Sequence, residues 1–235
     1  MRRTLTTAAA LATVWVAGST SIAAQEAPAT SGRWSFEVGS ATDNRSKGIS
    51  KSDGEVFVWG EAEWENASGL FYATSGFQTI RNPSGSELEV EIGSGLRPEV
   101  AGFDLNLNIT RKFQIDAAPG FDDTAWELTA DVARSIGPAS GRLRLQYSPD
   151  GMGGTRAWSW VEARAGWEFT PRLQGTAAIG HREQDNGRDY TAWNAGLTYA
   201  LTDTLEGELR CFATDADVPG EQFADTLMAG ISFAF

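Results

Sequence analysis

Apolar and polar residues alternate with a period of two along most of the chain, the spacing that sends successive side chains to opposite faces of a β-strand. In residues 103–109, Phe103, Leu105, Leu107 and Ile109 alternate with Asp104, Asn106 and Asn108. Residues 87–92 set three carboxylates against Leu88, Val90 and Ile92, and Leu205, Leu209 and Cys211 stand against Glu206, Glu208 and Arg210. From Arg33 onward no helical apolar stripe interrupts the pattern. Twelve strands follow, at 33–42, 55–65, 69–80, 87–95, 100–114, 123–136, 140–148, 156–169, 172–184, 189–201, 203–214 and 224–235. Several reach ten residues, more than the ~5–6 typical of soluble strands and about what a tilted strand needs to cross a bilayer. Only the facing of 69–80 stays open, because both of its faces are mixed.

The connections alternate too. Short turns fall at Asn66-Ala67-Ser68, Arg97-Pro98-Glu99, Gly137-Pro138-Ala139, Thr170-Pro171 and Thr202-Asp203, and mostly longer polar loops fall between them, as at 43–54, 115–122, 149–155 and 215–223. Short turns at one end and long loops at the other mark an outer-membrane barrel. The pattern therefore predicts an all-β fold: a transmembrane antiparallel up-and-down β-barrel of about 12 strands, with both termini on the short-turn, periplasmic side. A soluble β-sandwich is the competing architecture, and it does not usually combine such long strands with this loop asymmetry.

The first residues read as an export signal. Met1-Arg2-Arg3 is a basic start, Leu5 to Val16 is apolar, and Ser21-Ile22-Ala23-Ala24 offers small residues for cleavage after Ala24. The stretch falls short of the ~20 apolar residues of a spanning helix. The expected organisation is a signal peptide at 1–24, a short periplasmic lead-in at 25–32, and an outer-membrane β-barrel at 33–235.

Composition fits once the alternation is known. Hydrophobic residues make up 41% of the chain and its mean hydropathy is −0.28, values of a soluble domain, because only one strand residue in two faces lipid. Of the nine Trp residues, Trp15 falls in the export signal and the other eight gather at segment ends. Trp34, Trp64, Trp167, Phe169, Phe233 and Phe235 fall near periplasmic ends, and Trp59, Phe113, Trp126, Trp158, Trp160, Tyr190 and Trp193 near the opposite ends, as expected of two interfacial girdles. The expected surroundings are outer-membrane lipids and lipopolysaccharide. The last strand, closing on Phe235, resembles the C-terminal signal that barrel assembly machinery recognises.

Three segments carry a family likeness. Residues 40–52, Ser-Ala-Thr-Asp-Asn-Arg-Ser-Lys-Gly-Ile-Ser-Lys-Ser, resemble the Ser-Asp-x-x-Arg-Gly-Ile-Ser-like run that follows the first strand of the TorF-type porins. Tyr147-Ser148-Pro149-Asp150 is similar to that family's Tyr-Ser-Pro-Asp turn, and the strand ending at Phe235 is similar in kind. The sequence departs before Gly48, where Ser46-Lys47 replaces the usual aromatic-Arg pair and Arg45 stands one step earlier. The resemblance implies a small outer-membrane barrel and brings no catalytic residues.

The face opposite the aliphatics should line the interior. It would carry Glu37, Glu61, Glu63, Glu87, Glu89, Glu91, Asp104, Glu127, Asp131, Glu162, Glu168, Glu206 and Glu208, with Arg142, Arg144, Arg164, Arg182 and Arg210 as its cations. That acidic excess predicts a diffusion channel for small solutes, preferentially cationic or neutral. The same residues could instead pair in a ladder that fills the barrel, as a plugged structural or binding protein.

The remaining chemistry is thin. A net charge of −12 argues against nucleic acid as a partner. One Cys and one His cannot build a Cys/His zinc site, and no cofactor is expected. A lipid hydrolase would need His181 as its base, but His181-Arg182-Glu183 lacks the His-x-Ser arrangement. Asp215-Ala216-Asp217 with Gly220 and Glu221 resembles a calcium loop, yet Pro219 holds the fifth ligand position and Thr226 stands where a bidentate Glu is required. Asp43, Arg45 and Lys47 are expected as solvated loop charges.

Overall fold

The alternating segments close into a single antiparallel barrel in a computed structural model of the chain, which describes residues 32–81 and 83–235. The signal expected at 1–24 and nearly all of the lead-in lie outside the described residues. The wall comprises β1 (Arg33–Ala41), β2 (Phe57–Glu65), β3 (Phe71–Thr79), β4 (Leu88–Leu96), β5 (Phe103–Ile115), β6 (Thr124–Ile136), β7 (Ala139–Gly151), β8 (Arg156–Thr170), β9 (Leu173–Gln184), β10 (Tyr190–Ala200), β11 (Leu205–Thr214) and β12 (Thr226–Ala234). Their ends depart from the expected segments by no more than three residues. Consecutive wall strands pair, and β1 pairs with β12 to close the cylinder. Closure leaves no unpaired strand edge, the condition for a sheet to sit in hydrocarbon.

The first and last wall strands meet at the seam. The main chains of Phe36 and Phe235 exchange two hydrogen bonds of 2.9 Å, and their rings stack with centroids 5.5 Å apart. Outward positions carry Leu107, Leu128, Leu145, Val161, Ile179, Leu197 and Leu209, all exposed. Intervening positions carry Asn106, Asn108, Glu127, Thr129, Arg144, Gln146, Glu162 and Arg210, all buried. In β3, Phe71 and Phe77 point outward while Tyr72 is buried, which fixes the face that the sequence left open.

The aromatic pattern needs a correction. Trp34, Trp126, Trp167 and Trp193 are exposed on the outside as expected. Trp158, Trp160 and Tyr190 are buried instead, in a cluster with Ala192 and Ala216 against which Ile49 and Phe223 pack. Trp59 likewise packs against Ala41, Phe57, Phe212 and Met228. Strand parity explains the difference: Trp158 and Trp160 share a face with Glu162 and Arg164, and Trp59 shares one with Glu61. Position near a strand end was the weaker signal. The Trp160 ring lies over Gly180, where an added Cβ would overlap it.

Leu145 is at the midpoint of β7, between Ala130 and Val161 of the neighbouring strands. Leu145→Arg is expected to destabilise the barrel in phospholipid vesicles by about 2–4 kcal/mol, read from urea unfolding by Trp fluorescence. A change below about 1 kcal/mol would remove Leu145 from the hydrocarbon layer.

Candidate functional site

The loop between β1 and β2 folds into the barrel. Asp43, Asn44, Arg45, Ser50 and Ser52 are each 4% exposed or less. Arg45 pairs with Ser50 and Ser46 with Ile49 in a two-residue hairpin. Lys47 and Gly48 at its tip have φ of 53° and 82°, the positive values that such a tight turn requires. Gly48 approaches the wall so closely that an added Cβ would overlap that of Ala192.

One carboxylate organises the loop. Asp43 accepts from Arg45 Nε, from Ser50 Oγ, and from Ser52 Oγ at 3.0 Å. Arg45 spends its other donors on the Gly48 carbonyl at 3.2 Å, the Glu221 carbonyl at 3.1 Å and Thr226 Oγ1 at 3.0 Å. The expectation of solvated loop charges is therefore corrected: Asp43 and Arg45 form a buried pair that ties the first loop to the last. Such a pair persists when its remaining polar atoms are also bonded.

Further contacts fasten the loop across the bore. Lys47 Nζ is 3.4 Å from Glu127 of β6 and 4.5 Å from the centroid of the Trp158 ring on β8. Burial pushes the Lys47 ammonium down to about 8, with Glu127 opposing the fall. Lys51 pairs with Glu89 of β4, and Asn44 donates to Gln78 of β3 at 3.0 Å. Gln78 donates in turn to Glu89 at 2.8 Å and Glu91 at 3.2 Å. Lys112 of β5 bridges Glu91 at 3.1 Å and Glu127 at 3.5 Å.

Other interior charges are held in local groups. Arg144 grips Asp131 with two bonds of 2.7 Å, and Gln146 donates to Glu127 at 2.8 Å. One Glu162 oxygen serves both Arg142, at 2.7 Å, and Arg164, at 3.3 Å. Arg210 meets Glu208 at 2.7 Å and also donates to Asn194 and Thr176. Arg97 binds both oxygens of Glu63, at 2.7 and 2.6 Å, and stacks 3.8 Å over Tyr72. Arg182 covers the Trp158 ring at 4.6 Å. No ion pair engages Glu37, Glu61 or Glu206 among the described residues, although Glu37 and Glu61 face each other across β1 and β2.

Not every expected interior residue lies inside. Glu87 is exposed and precedes β4, and Asp104 and Glu168 are exposed near the turn end of β5 and β8. Parity holds for these residues, but enclosure stops where the wall does. Conversely, Arg45, Lys47, Lys51, Arg97 and Lys112 join the interior cations and shrink the expected acidic excess. Lys112 was legible, since it continues the alternation of Asn106, Asn108 and Thr110. The loop cations carry no such signal, because their burial depends on contacts with distant strands.

The charges also separate by side. Glu37, Glu61 and Glu63 stand on β1 and β2, while Arg142, Arg144 and Arg164 stand on β7 and β8, six strands away in a ring of twelve. His181 is exposed on the outer face, its Nδ1 3.1 Å from Thr191 Oγ1.

A family model matches residues 24–231. The chain belongs to that family, the bacterial proteins of unknown function designated Gcw_chp. No curated protein matches the sequence. Among solved structures it is similar to the KdgM porin, with a TM-score of 0.62 and 8% identity over 86% of this chain and 99% of that one. The NanC porin gives 0.58 and 10% identity over 86% and 99%. An outer membrane channel from Pseudomonas putida F1 gives 0.52 and 10% identity over 90% and 98%. At these identities the likeness is one of fold.

Lys47 and Lys51 are natural trypsin sites that the loop conceals. Asp43→Ala leaves Arg45 buried without its counter-ion, at a local cost of about 3–5 kcal/mol. In the folded, detergent-solubilised variant, mass-mapped cleavage after Lys47 or Lys51 is expected to accelerate at least about tenfold. Equal cleavage in wild type and variant would show that Asp43 does not anchor the loop.

Proposed function

We propose that the protein is an outer-membrane, porin-like channel for passive diffusion of small solutes, preferentially cationic or neutral. The observation that carries this reading is a closed twelve-stranded wall with an apolar outside and a charged inside, narrowed by one infolded loop. Twelve strands enclose a bore between the filled eight-stranded barrels and the open sixteen-stranded porins, so a single loop can set its width. The fold of KdgM, NanC and the P. putida channel supports a channel role, as does the TorF-type likeness of residues 40–52.

An outer-membrane location is part of the same proposal. Export by a cleaved leader, insertion among outer-membrane lipids and lipopolysaccharide, and handling by barrel assembly machinery through the strand ending in Phe235 belong to this reading. No catalytic role is assigned. Cation preference rests on Glu37, Glu61 and Glu206, which no ion pair engages among the described residues and which in their ionised form act through a low-dielectric wall that focuses their field. Glu89 and Glu91 contribute less, because Lys51 and Lys112 are already committed to them.

The bonded loop favours a second reading, a plugged barrel with a structural or binding role. Planar bilayers separate the two. A channel gives unitary conductance and a cation-directed reversal potential in a salt gradient, and the joint change Glu37→Gln, Glu61→Gln and Glu206→Gln moves that potential toward zero. Folded, inserted protein without unitary conductance would instead support the plug.

A further inference from the structure

A small cavity of about 30 Å³ lies between the infolded loop and the wall, lined by Lys47, Arg142, Arg164, Trp160 and Phe212, and also by the Glu162 carboxylate, among others. We propose that Arg142 and Arg164 form a subsite here for the carboxylate of a small organic solute. The proposal rests on the channel reading and adds to its preference for cationic or neutral solutes a local site for a carboxylate-bearing one.

Unused hydrogen-bonding capacity points to a ligand. Arg164 has a side chain only 8% exposed, yet its Nη1 has no hydrogen-bond partner among the described residues. Arg142 Nε is equally unpartnered. Buried donors are ordinarily satisfied, so two idle guanidinium donors on one cavity mark a place for an acceptor. Charge leads to the same conclusion. Glu162 is the one carboxylate that pairs with both arginines, while Asp131 is held by Arg144 and Glu127 by Lys47 and Lys112. The Arg142–Glu162–Arg164 group thus carries one positive charge with no local counterpart, and an anion would complete it.

The lining selects the anion. A guanidinium fork matches the planar geometry of a carboxylate. Trp160, Ala192 and Phe212 on the same cavity give an apolar surface suited to a short carbon tail and useless to an inorganic ion. The volume accommodates about two or three waters, enough for a carboxylate head, so any tail must be short and a sugar acid does not fit. The acidic residues of β1 and β2 lie across the barrel and govern the bulk ion preference, whereas this subsite is local to β7 and β8.

Titration calorimetry on the folded protein in detergent micelles tests the proposal without requiring conduction. Propionate, its uncharged analogue propionamide and inorganic phosphate serve as probes, and retained heat-modifiable electrophoretic mobility certifies folding. Wild type is expected to bind propionate saturably and propionamide not at all. Arg164→Gln and Arg142→Gln should each weaken propionate at least about tenfold, with Arg164→Lys intermediate and Arg172→Gln, in an exposed turn, unchanged. Unaltered propionate affinity in both Gln variants, absence of propionate binding to wild type, or phosphate binding as tightly as propionate would each overturn the assignment. Propionate binding by a protein that does not conduct keeps the subsite and removes the channel. Conduction without propionate binding does the reverse.

Discussion

A backbone amide or carbonyl left unpaired in hydrocarbon costs several kcal/mol, and every other property of this protein depends on how the chain meets that constraint. Twelve antiparallel strands satisfy it only when β1 finds β12. Closure then divides each strand into two faces with opposite demands. Outward positions are predominantly apolar: Leu107, Leu145 and Leu209 belong to strands whose inward neighbours are Asn106, Arg144 and Arg210. The acidic, modestly hydrophobic composition is therefore the average of two surfaces, neither of which resembles that average.

Placing the polar face inside creates a second constraint. Charges enclosed by a low-dielectric wall must be paired, hydrated or balanced across the bore. The interior uses pairing for most of them, as in Arg144 with Asp131 and Arg97 with Glu63. Exceptions remain. Glu37, Glu61 and Glu206 on β1, β2 and β11 join no ion pair among the described residues, and guanidinium nitrogens of Arg142, Arg164 and Arg182 on β7, β8 and β9, with one of Arg97, have no hydrogen-bond partner there. A barrel built only for rigidity would gain from pairing these groups too. Their separation across the lumen is what lends weight to a solute-handling interior over an inert one.

Strand number, order and facing were legible because a two-residue period states the face of every position directly. The same period could have placed Trp158 and Trp160 inside beside Glu162, had parity been weighed above their nearness to strand ends. It could also have found Lys112. Glu87 shows the limit in the other direction: its parity is right, but β4 begins one residue later and nothing encloses it. The fate of Asp43, Arg45 and Lys47 was not legible at all. A loop has no period, and their burial rests on Thr226, Glu127 and Trp158, contacts that lie 80 or more residues away along the chain.

That asymmetry bears on where function is specified. The wall is over-determined, since roughly a dozen hydrogen-bonded strand pairs fix its shape and no single side chain decides it. The first loop is determined by few residues, chiefly the Asp43 carboxylate and the glycine at its tip, and these fall within residues 40–52. A motif with the composition of a polar surface loop is thus the folded core of the infolded segment. Its specific residues are needed because an ion pair inside a barrel requires every partner at once, whereas an aliphatic facing lipid can be exchanged for another. Where a barrel's wall tolerates such exchange, its bore is set by the few buried polar contacts that do not.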